Sequence, residues 1–337
     1  MPCPASLRVA AAALCCASLA SGQWVFETSS NGSAPSPRHE AAAVVVDDEL
    51  LLMGGRGSRP VDRYDPVAQT WTDLGNPPLQ MHHFQPVLHD DLVWIVCAFE
   101  GPYPNETAIP HIWTYDPDTN VWAQGPSIPS PRNRGSAGVV VVGDQFYVVG
   151  GNTRGHNGGA VPWLDRYDPA TDTWTALPDA PHARDHFSAV VVGHHLVVAG
   201  GRETEQPNPF LNTVAAVDVF DLTTQSWSSL PLPIPSERAG AMTVSRGEYV
   251  LVIGGETDAG AHAETEAVDL GTGEWTALPD LIDSRHSGGV GCIGDAVYVT
   301  SGSGNKGGSP ELETTERLDL AGLLPPSPTN LLVNADF

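Results

Sequence analysis

Basic residues are scarce in this chain. Its 337 residues include 16 Lys+Arg, of which one is a lysine, Lys306, against 40 Asp+Glu, and the formal net charge is −24. Phosphate backbones and anionic membrane surfaces repel so acidic a protein. The sequence therefore predicts that neither nucleic acid nor a membrane surface is a partner.

Cysteine is rare as well, with five residues in the chain. Cys3, Cys15 and Cys16 belong to the N-terminal segment 1–22, which leaves Cys97 and Cys292 for the remainder. One bridge at most could then form, and a disulfide scaffold is excluded. Both remaining cysteines lie in apolar stretches of separate repeats, so we expect two buried thiols that pack as small apolar residues.

Long apolar runs are also missing, and no stretch approaches the length of a membrane span. A short apolar run at 9–19 follows Arg8 and precedes the small residues Ala20, Ser21 and Gly22. This is the pattern of a secretory signal peptide. We therefore expect residues 1–22 to be removed and the protein to be secreted, or periplasmic if bacterial. The glycosylation triplets at Asn31 and Asn105 fit that route.

Glycine and proline are abundant, with 35 and 30 residues, and tryptophan recurs at a nearly constant spacing. The spacing is 47 to 53 residues along the series Trp24, Trp71, Trp122, Trp174, Trp227 and Trp275. Before most of these tryptophans the same motifs recur: a Pro-rich turn, Arg, two apolar strands, Gly-Gly, a loop and Tyr-Asp-Pro. A period of about 50 residues with such turn signals is typical of propeller blades.

Together these motifs resemble the kelch repeat family over residues 24–320. The resemblance implies an all-β, six-bladed kelch-type β-propeller at 23–321, followed by a Pro-rich tail or linker at 322–337. In blade two, Cys97-Ala98 replaces Gly-Gly, and His82 is assigned to the arginine position. The blades are predicted to start at Arg38, His82, Arg132, Arg184, Arg238 and Arg285. The sequence contains six predicted blade starts and six strands that carry a tryptophan. These make six complete blades only if Trp24 lies on the outer strand of the last blade, so the N-terminal strand is predicted to close the ring.

Repeat position places most basic residues on one face of the propeller, including Arg56, Arg59, Arg154, Arg202 and Lys306. Arginines next to the innermost strands should converge at the channel mouth and bind carboxylate or sulfate groups. The predicted ligand site comprises Arg38, His39, His82, Arg132, Arg134, Arg184, His186, Arg238, Arg285 and His286. We expect a monomer that binds a protein or an acidic glycan there. The alternative is that each arginine only satisfies nearby carbonyls and acids.

Two enzymatic functions compete with this binding role. Secreted kelch propellers include copper oxidases, but the pair His194-His195 lies in a turn away from the other histidines, and a tyrosine–cysteine pair has no match. The sequence therefore predicts no metal, no cofactor and no catalytic residue. The alternative is an enzyme similar to sialic-acid epimerases, for which Glu40, Asp185 and Glu237 are the acid–base candidates on a carboxylated sugar.

Overall fold

The computed structural model describes residues 22–324, so residues 1–21 of the predicted signal peptide and residues 325–337 of the C-terminal tail lie outside that range. Within it, 24 strands form six four-stranded antiparallel sheets, and four more form two small hairpins. The first strands of consecutive sheets contact one another in cyclic order, so the sheets are the blades of a closed ring. No helix in this range is long and apolar enough to cross a membrane.

The strand bounds follow the predicted repeat. Strand β1 (Val25–Phe26) belongs to the last blade. Blade one contains β2 (Ala41–Val46), β3 (Glu49–Gly54), β4 (Asp62–Asp65) and β5 (Thr70–Asp73). Blade two contains β6 (Val87–His89), β7 (Leu92–Ile95), β10 (His111–Asp116) and β11 (Val121–Ser127), with a hairpin of β8 (Phe99–Glu100) and β9 (Thr107–Ala108) above it. Blade three contains β12 (Gly138–Val142), β13 (Gln145–Val149), β14 (Leu164–Asp168) and β15 (Thr173–Leu177).

The remaining blades repeat the order. Blade four contains β16 (Ala189–Val192), β17 (His195–Ala199), β18 (Val217–Asp221) and β19 (Ser226–Ser229). Blade five contains β20 (Met242–Arg246), β21 (Tyr249–Ile253), β24 (Thr265–Asp269) and β25 (Trp275–Leu278), with a hairpin of β22 (Glu256–Thr257) and β23 (Gly260–Ala261). Blade six contains β26 (Gly289–Ile293), β27 (Ala296–Thr300), β28 (Thr315–Asp319) and β1. One 3-10 turn, Gly155–Asn157, lies in the blade-three loop.

The Tyr-Asp-Pro motif of blades one to three and the Trp of every blade lie in the outer half of the blades. In blade one the Tyr64 and Trp71 rings on β4 and β5 pack with their centroids 5.0 Å apart. The Asp65 carboxylate accepts hydrogen bonds from the backbone N–H groups of Val67 and Ala68, which fixes the turn between these strands.

The N-terminal strand closes the ring, as predicted. Strand β1 pairs antiparallel with β28, with Val25 opposite Arg317. Trp24 is buried, and its indole N–H donates to the Pro279 carbonyl at 2.9 Å. Leu324, which falls within the predicted tail, is also buried in the core cluster that contains Trp24.

The two remaining cysteines are free thiols, as expected. Cys97 is buried between blades two and three, and Cys292 lies partly buried on β26. Burial raises the pKa of each thiol to about 11, so both are protonated at neutral pH.

The repeat register of blade two differs from the prediction. His82 forms an isolated bridge with Phe99, and the equivalent bridge in blade four joins Asp185 to Arg202. His82 is therefore equivalent to Asp185, and Met81 occupies the arginine position. In blade three the same comparison places Arg134, and not Arg132, at that position.

Candidate functional site

The arginines at the start of each blade are buried within the blades. Each of these arginines is at most 1% exposed. The five residues are Arg38, Arg134, Arg184, Arg238 and Arg285. Each donates to the carbonyl of the residue sixteen positions later, which is the first glycine of the Gly-Gly pair or, for Arg285, Ser301. Each also donates to a carboxylate on the third strand of its own blade. Arg134, for example, donates to Gly150 O at 2.6 Å and to Asp165 Oδ2 at 2.8 Å. Burial lowers the pKa of Arg38 to about 10, which leaves it charged at neutral pH.

The prediction that these five arginines line a ligand site is therefore wrong. Their N–H groups face carbonyls and carboxylates inside each blade, because unpaired backbone oxygens at the Gly-Gly turn would be costly. Blade two replaces both partners of the ion pair with apolar side chains, Met81 and Trp113, which belong to one apolar cluster. Arg132 is more exposed, but it pairs with Asp165 and stacks on the Trp163 ring at 4.5 Å.

The predicted histidines His39, His82, His186 and His286 are buried as well, at 8% exposure or less. His39 Nδ1 is 2.7 Å from Glu311 Oε1, and His286 Nε2 is 2.8 Å from the Gly307 carbonyl. His82 Nε2 is 3.0 Å from the Gly101 carbonyl, and burial lowers the pKa of His82 to about 4. The two sequon residues, Asn31 and Asn105, are exposed, and their glycosylation stays a prediction.

A ring of six equivalent residues surrounds the propeller axis, two positions after each arginine position. All six have a positive backbone φ, between 50° and 61°. The six residues are Glu40, His83, Ser136, His186, Gly240 and Ser287. Backbone hydrogen bonds link consecutive blades through this ring; His83 N donates to Glu40 O at 3.1 Å and Gly240 N to His186 O at 2.6 Å. We call these six residues the axial ring. Left-handed backbone at non-glycine residues is uncommon and concentrates at functional sites.

Four side chains meet at this ring. Glu40, His83 and His186 come from it, and His156 comes from the 3-10 turn of blade three; one ligand atom of each lies within 4.8 Å of the others. His83 Nε2 is 3.0 Å from Glu40 Oε2. The three imidazoles lie with centroids 4.8 to 5.3 Å apart and planes 73° to 85° apart. We call these four residues the axial cluster.

Glu106 positions His156 in the cluster. Its two carboxylate oxygens accept hydrogen bonds from the His156 backbone N–H at 2.9 Å and from the His156 ring at 2.8 Å. Gly155 makes this approach possible, since a Cβ there would lie 2.3 Å from Glu106 Oε2. Burial would raise the pKa of Glu106, but hydrogen bonds from His156 and Arg56 outweigh it and hold that pKa well below its usual range.

Two cavities lie on either side of the axial cluster. The upper cavity, about 270 Å³, is lined by His39, Glu40, Arg56, Tyr103, His156, Phe210, Glu256, Gly307 and Gly308. The lower cavity, about 330 Å³, is lined by residues of β2, β16, β20 and β26 and by the segments that lead into the innermost strands, together with Glu40, His83 and His186. Glu40 lines both cavities, so a small molecule entering either one would reach the cluster.

Buried carboxylates outnumber guanidinium groups around the axis. Glu40, Glu106, Asp185 and Glu256 are all buried. Arg56 pairs with Glu106 at 2.5 Å and Arg202 with Glu256 at 2.6 Å. Among the described residues this leaves Glu40 and Asp185 with only histidines as ion-pair partners.

Protonation follows from this environment. Burial lowers the pKa of His83 well below its usual value, and burial and Arg202 lower that of His186. Burial pushes the pKa of Glu40 upward, but His83, His186 and His39 outweigh it and hold it well below its usual range. At neutral pH the site therefore contains a Glu40 carboxylate and neutral rings at His83 and His186.

Comparison with known proteins agrees with this architecture. The profile of the Attractin/LZTR1 β-propeller family matches residues 8–262, which is more than half of the chain. The chain belongs to the kelch-repeat β-propeller family. Kelch-like protein terF of Aspergillus terreus is 31% identical over 265 residues, which cover 73% of this chain and 56% of that protein. Kelch-like protein 38 of Rattus norvegicus is 23% identical over 258 residues, 75% of this chain and 42% of that protein.

This kelch propeller thus spans about half the length of the curated relatives it matches. Among solved structures, one titled "Structure of YjhT" superposes with a TM-score of 0.72 and 15% identity, covering 84% of this chain and 95% of that one. At that identity the likeness concerns the fold alone.

Sequence reasoning did not find the axial cluster of this kelch protein. It set the pair His194-His195 apart from the other histidines, omitted His156 and considered Glu40 only as an acid–base candidate. His156 lies in a loop whose length varies between blades, so repeat position does not place it on the axis. One signal was available: Glu40, His83 and His186 share a repeat position that is Ser or Gly in the other three blades.

Proposed function

We propose that this propeller is a binding module whose ligand carries a carboxylate or sulfate group and enters the upper cavity. The observation that supports this most directly is Arg56, which lines the cavity and has a buried Nη1 without a hydrogen-bond partner among the described residues. Its Nη2 is fixed by Glu106, so the planar fork is already oriented. An arginine fork of this kind suits a bidentate oxyanion.

Aromatic walls favour a small organic ligand with an apolar face. Tyr103 is 53% exposed at the rim, and Phe210 lines the opposite wall. Exposed aromatic rings around a polar cavity are typical of sites that bind sugars and peptide ends, since the rings bury apolar surface while polar groups fix orientation. The ligand classes are therefore a carboxylated or sulfated glycan and an acidic peptide.

The test is a glycan and acidic-peptide array on the chain from residue 23, at two salt concentrations, followed by titration of the best binder. Arg56→Lys keeps a charge beside Glu106 but lacks the fork, so affinity should fall about tenfold or more, as a charge-assisted hydrogen bond is worth about 1.5–3 kcal/mol. Arg246→Lys, on the opposite face, is the matched control. Equal affinity of the Arg56→Lys variant and the unsubstituted protein would exclude this site.

Acid–base chemistry on a carboxylated sugar is the second candidate. It is favoured by the Glu40–His83 pair, which lies 3.0 Å apart between the two cavities. Among the other acid–base candidates, Asp185 is buried against His186, whereas Glu237 is exposed. Proton NMR of N-acetylneuraminic acid anomers with added protein would detect epimerisation, and a rate equal to the buffer rate would remove this candidate.

The secretory route belongs to the same proposal. Expression of the full chain in a eukaryotic secretory host should yield a medium-borne protein that begins near Gln23. Its mass should fall on enzymatic removal of N-glycans if Asn31 or Asn105 is modified. Retention of residues 1–22 in an intracellular product would contradict the route.

A further inference from the structure

We propose that Glu40, His83, His156 and His186 bind one divalent first-row transition-metal ion on the propeller axis. Their ligand atoms already lie within 4.8 Å of one another. A tetrahedral site with metal–ligand bonds of about 2.0–2.1 Å would place them about 3.3 Å apart. The Glu40–His83 distance of 3.0 Å is near that value, and ligand atoms as far as 4.8 Å apart would have to approach one another by up to about 1.5 Å.

The hydrogen bonds around the three histidines determine which ring nitrogens are free. His82 Nε2–H donates to the Gly101 carbonyl, so its Nδ1 accepts from His83 Nδ1–H at 2.6 Å. His186 and His156 direct Nδ1 at the carboxylates of Asp185 and Glu106. All three rings therefore carry their proton on Nδ1 and keep the Nε2 lone pair for another partner.

Those Nε2 atoms show why a partner is expected. His186 Nε2 is fully buried and has no hydrogen-bond partner among the described residues. His83 Nε2 is also buried, and its polar neighbour at 3.0 Å is the Glu40 carboxylate, which cannot donate a hydrogen bond to an unprotonated ring nitrogen. A metal-ligating histidine typically donates its other N–H to a carboxylate or another acceptor, which fixes the tautomer and the ring orientation. Here all three histidines have such an acceptor, and their planes are nearly perpendicular to one another.

The local charge also calls for a cation. Arg56 and Arg202 pair with Glu106 and Glu256, whereas the ion-pair partners of Glu40 and Asp185 among the described residues are histidines alone. Burying two carboxylates without an arginine or lysine partner is costly, and a divalent ion beside them would offset that cost.

The donor set selects the class of metal. Three imidazole nitrogens with one carboxylate suit Zn²⁺, Cu²⁺, Ni²⁺, Co²⁺ or Fe²⁺, whereas Mg²⁺ and Ca²⁺ prefer all-oxygen ligands. Both cavities reach the site, so an open coordination position could take a ligand atom. The inference does not depend on the anionic ligand proposed above, because it is tested with the metal alone.

The experiment uses the chain from residue 23, stripped with a chelator and titrated with Co²⁺ at pH 7.5. We expect one Co²⁺ per chain, with visible ligand-field bands that Zn²⁺ abolishes at one equivalent. Excess Zn²⁺ should raise the melting temperature, because an ion that binds only the folded state stabilises it.

Variants separate a built site from adventitious binding. His156→Gln lies in a loop and should leave the fold intact, while His83→Gln and His186→Gln remove ligands from the axial ring; each should weaken Co²⁺ binding at least 100-fold. The control is His194→Ala, in an exposed His194–His195–Asp221 group on the opposite face, which should leave the titration unchanged. Absence of stoichiometric binding in a folded apoprotein, or binding lost in His194→Ala and retained in His156→Gln, would overturn the proposal.

Discussion

The buried ion pair of blade five gives the sharpest test of the role assigned to the arginines. Arg238 donates to Glu266 Oε2 at 2.6 Å, to Val252 O at 3.0 Å, and to the carbonyls of Gly254 and Ser236. Replacing Arg238 with methionine reproduces the residue that blade two has at this position. It leaves Glu266 buried with only the Ser236 hydroxyl as a partner.

We expect Arg238→Met to lower the free energy of unfolding by about 3–5 kcal/mol, since one partner of a buried pair is left uncompensated. The double variant Arg238→Met/Glu266→Leu removes that charge as well. Its remaining deficit comes from four carbonyls that lose a donor, those of Ser236, Val252, Gly254 and Glu264, at about 1 kcal/mol or less each. It should therefore be more stable than Arg238→Met by about 2 kcal/mol.

Urea unfolding followed by tryptophan fluorescence measures both variants. The exposed pair Arg246–Asp295 is the control, and Arg246→Met should cost about 1 kcal/mol at most. The reasoning is refuted if Glu266→Leu gives no recovery in the Arg238→Met background, or if Arg238→Met is as mild as Arg246→Met.

Two further predictions concern closure and the thiols. Trp24→Ala should lower the free energy of unfolding by about 3–5 kcal/mol, because it empties a buried site in the closing blade. Phe26 is 44% exposed, so Phe26→Ala should lower it by under about 1 kcal/mol. Equal urea midpoints for the two variants would contradict closure by this strand. Burial raises the pKa of both cysteines from about 9 to about 11. As the pH rises, the thiols of the unfolded chain therefore lose their protons before those of the folded protein. The stability that burial of the neutral thiols contributes below pH 9 is thus lost between pH 9 and 11. The loss should be about 3 kcal/mol smaller in Cys97→Ala than in the unsubstituted protein; parallel stability curves for the two would show that Cys97 is not buried.

The sequence determined the blade count, the approximate strands and the closure of the ring. These follow from local chemistry that recurs along the chain: Gly-Gly in four blades, where the backbone packs closely, Asp-Pro in three, where Asp caps the turn, and a Trp on the outer side of all six. The register was misread in two blades. His82 and Arg132 were assigned to the arginine position, whereas the structure places Met81 and Arg134 there.

Only the tertiary structure decided what the polar residues do. The acids that pair with the arginines are distant from them along the chain, on the third strand of each blade, and their burial converts a predicted ligand site into blade-internal ion pairs. The axial cluster likewise draws Glu40, His83, His156 and His186 from four blades. Propeller closure brings them within 4.8 Å, because a ring converts equal positions in distant repeats into neighbours around one axis. A linear pattern shows that such positions are equivalent, but which of them meet, and which loop residue joins them, depends on the three-dimensional packing of the ring.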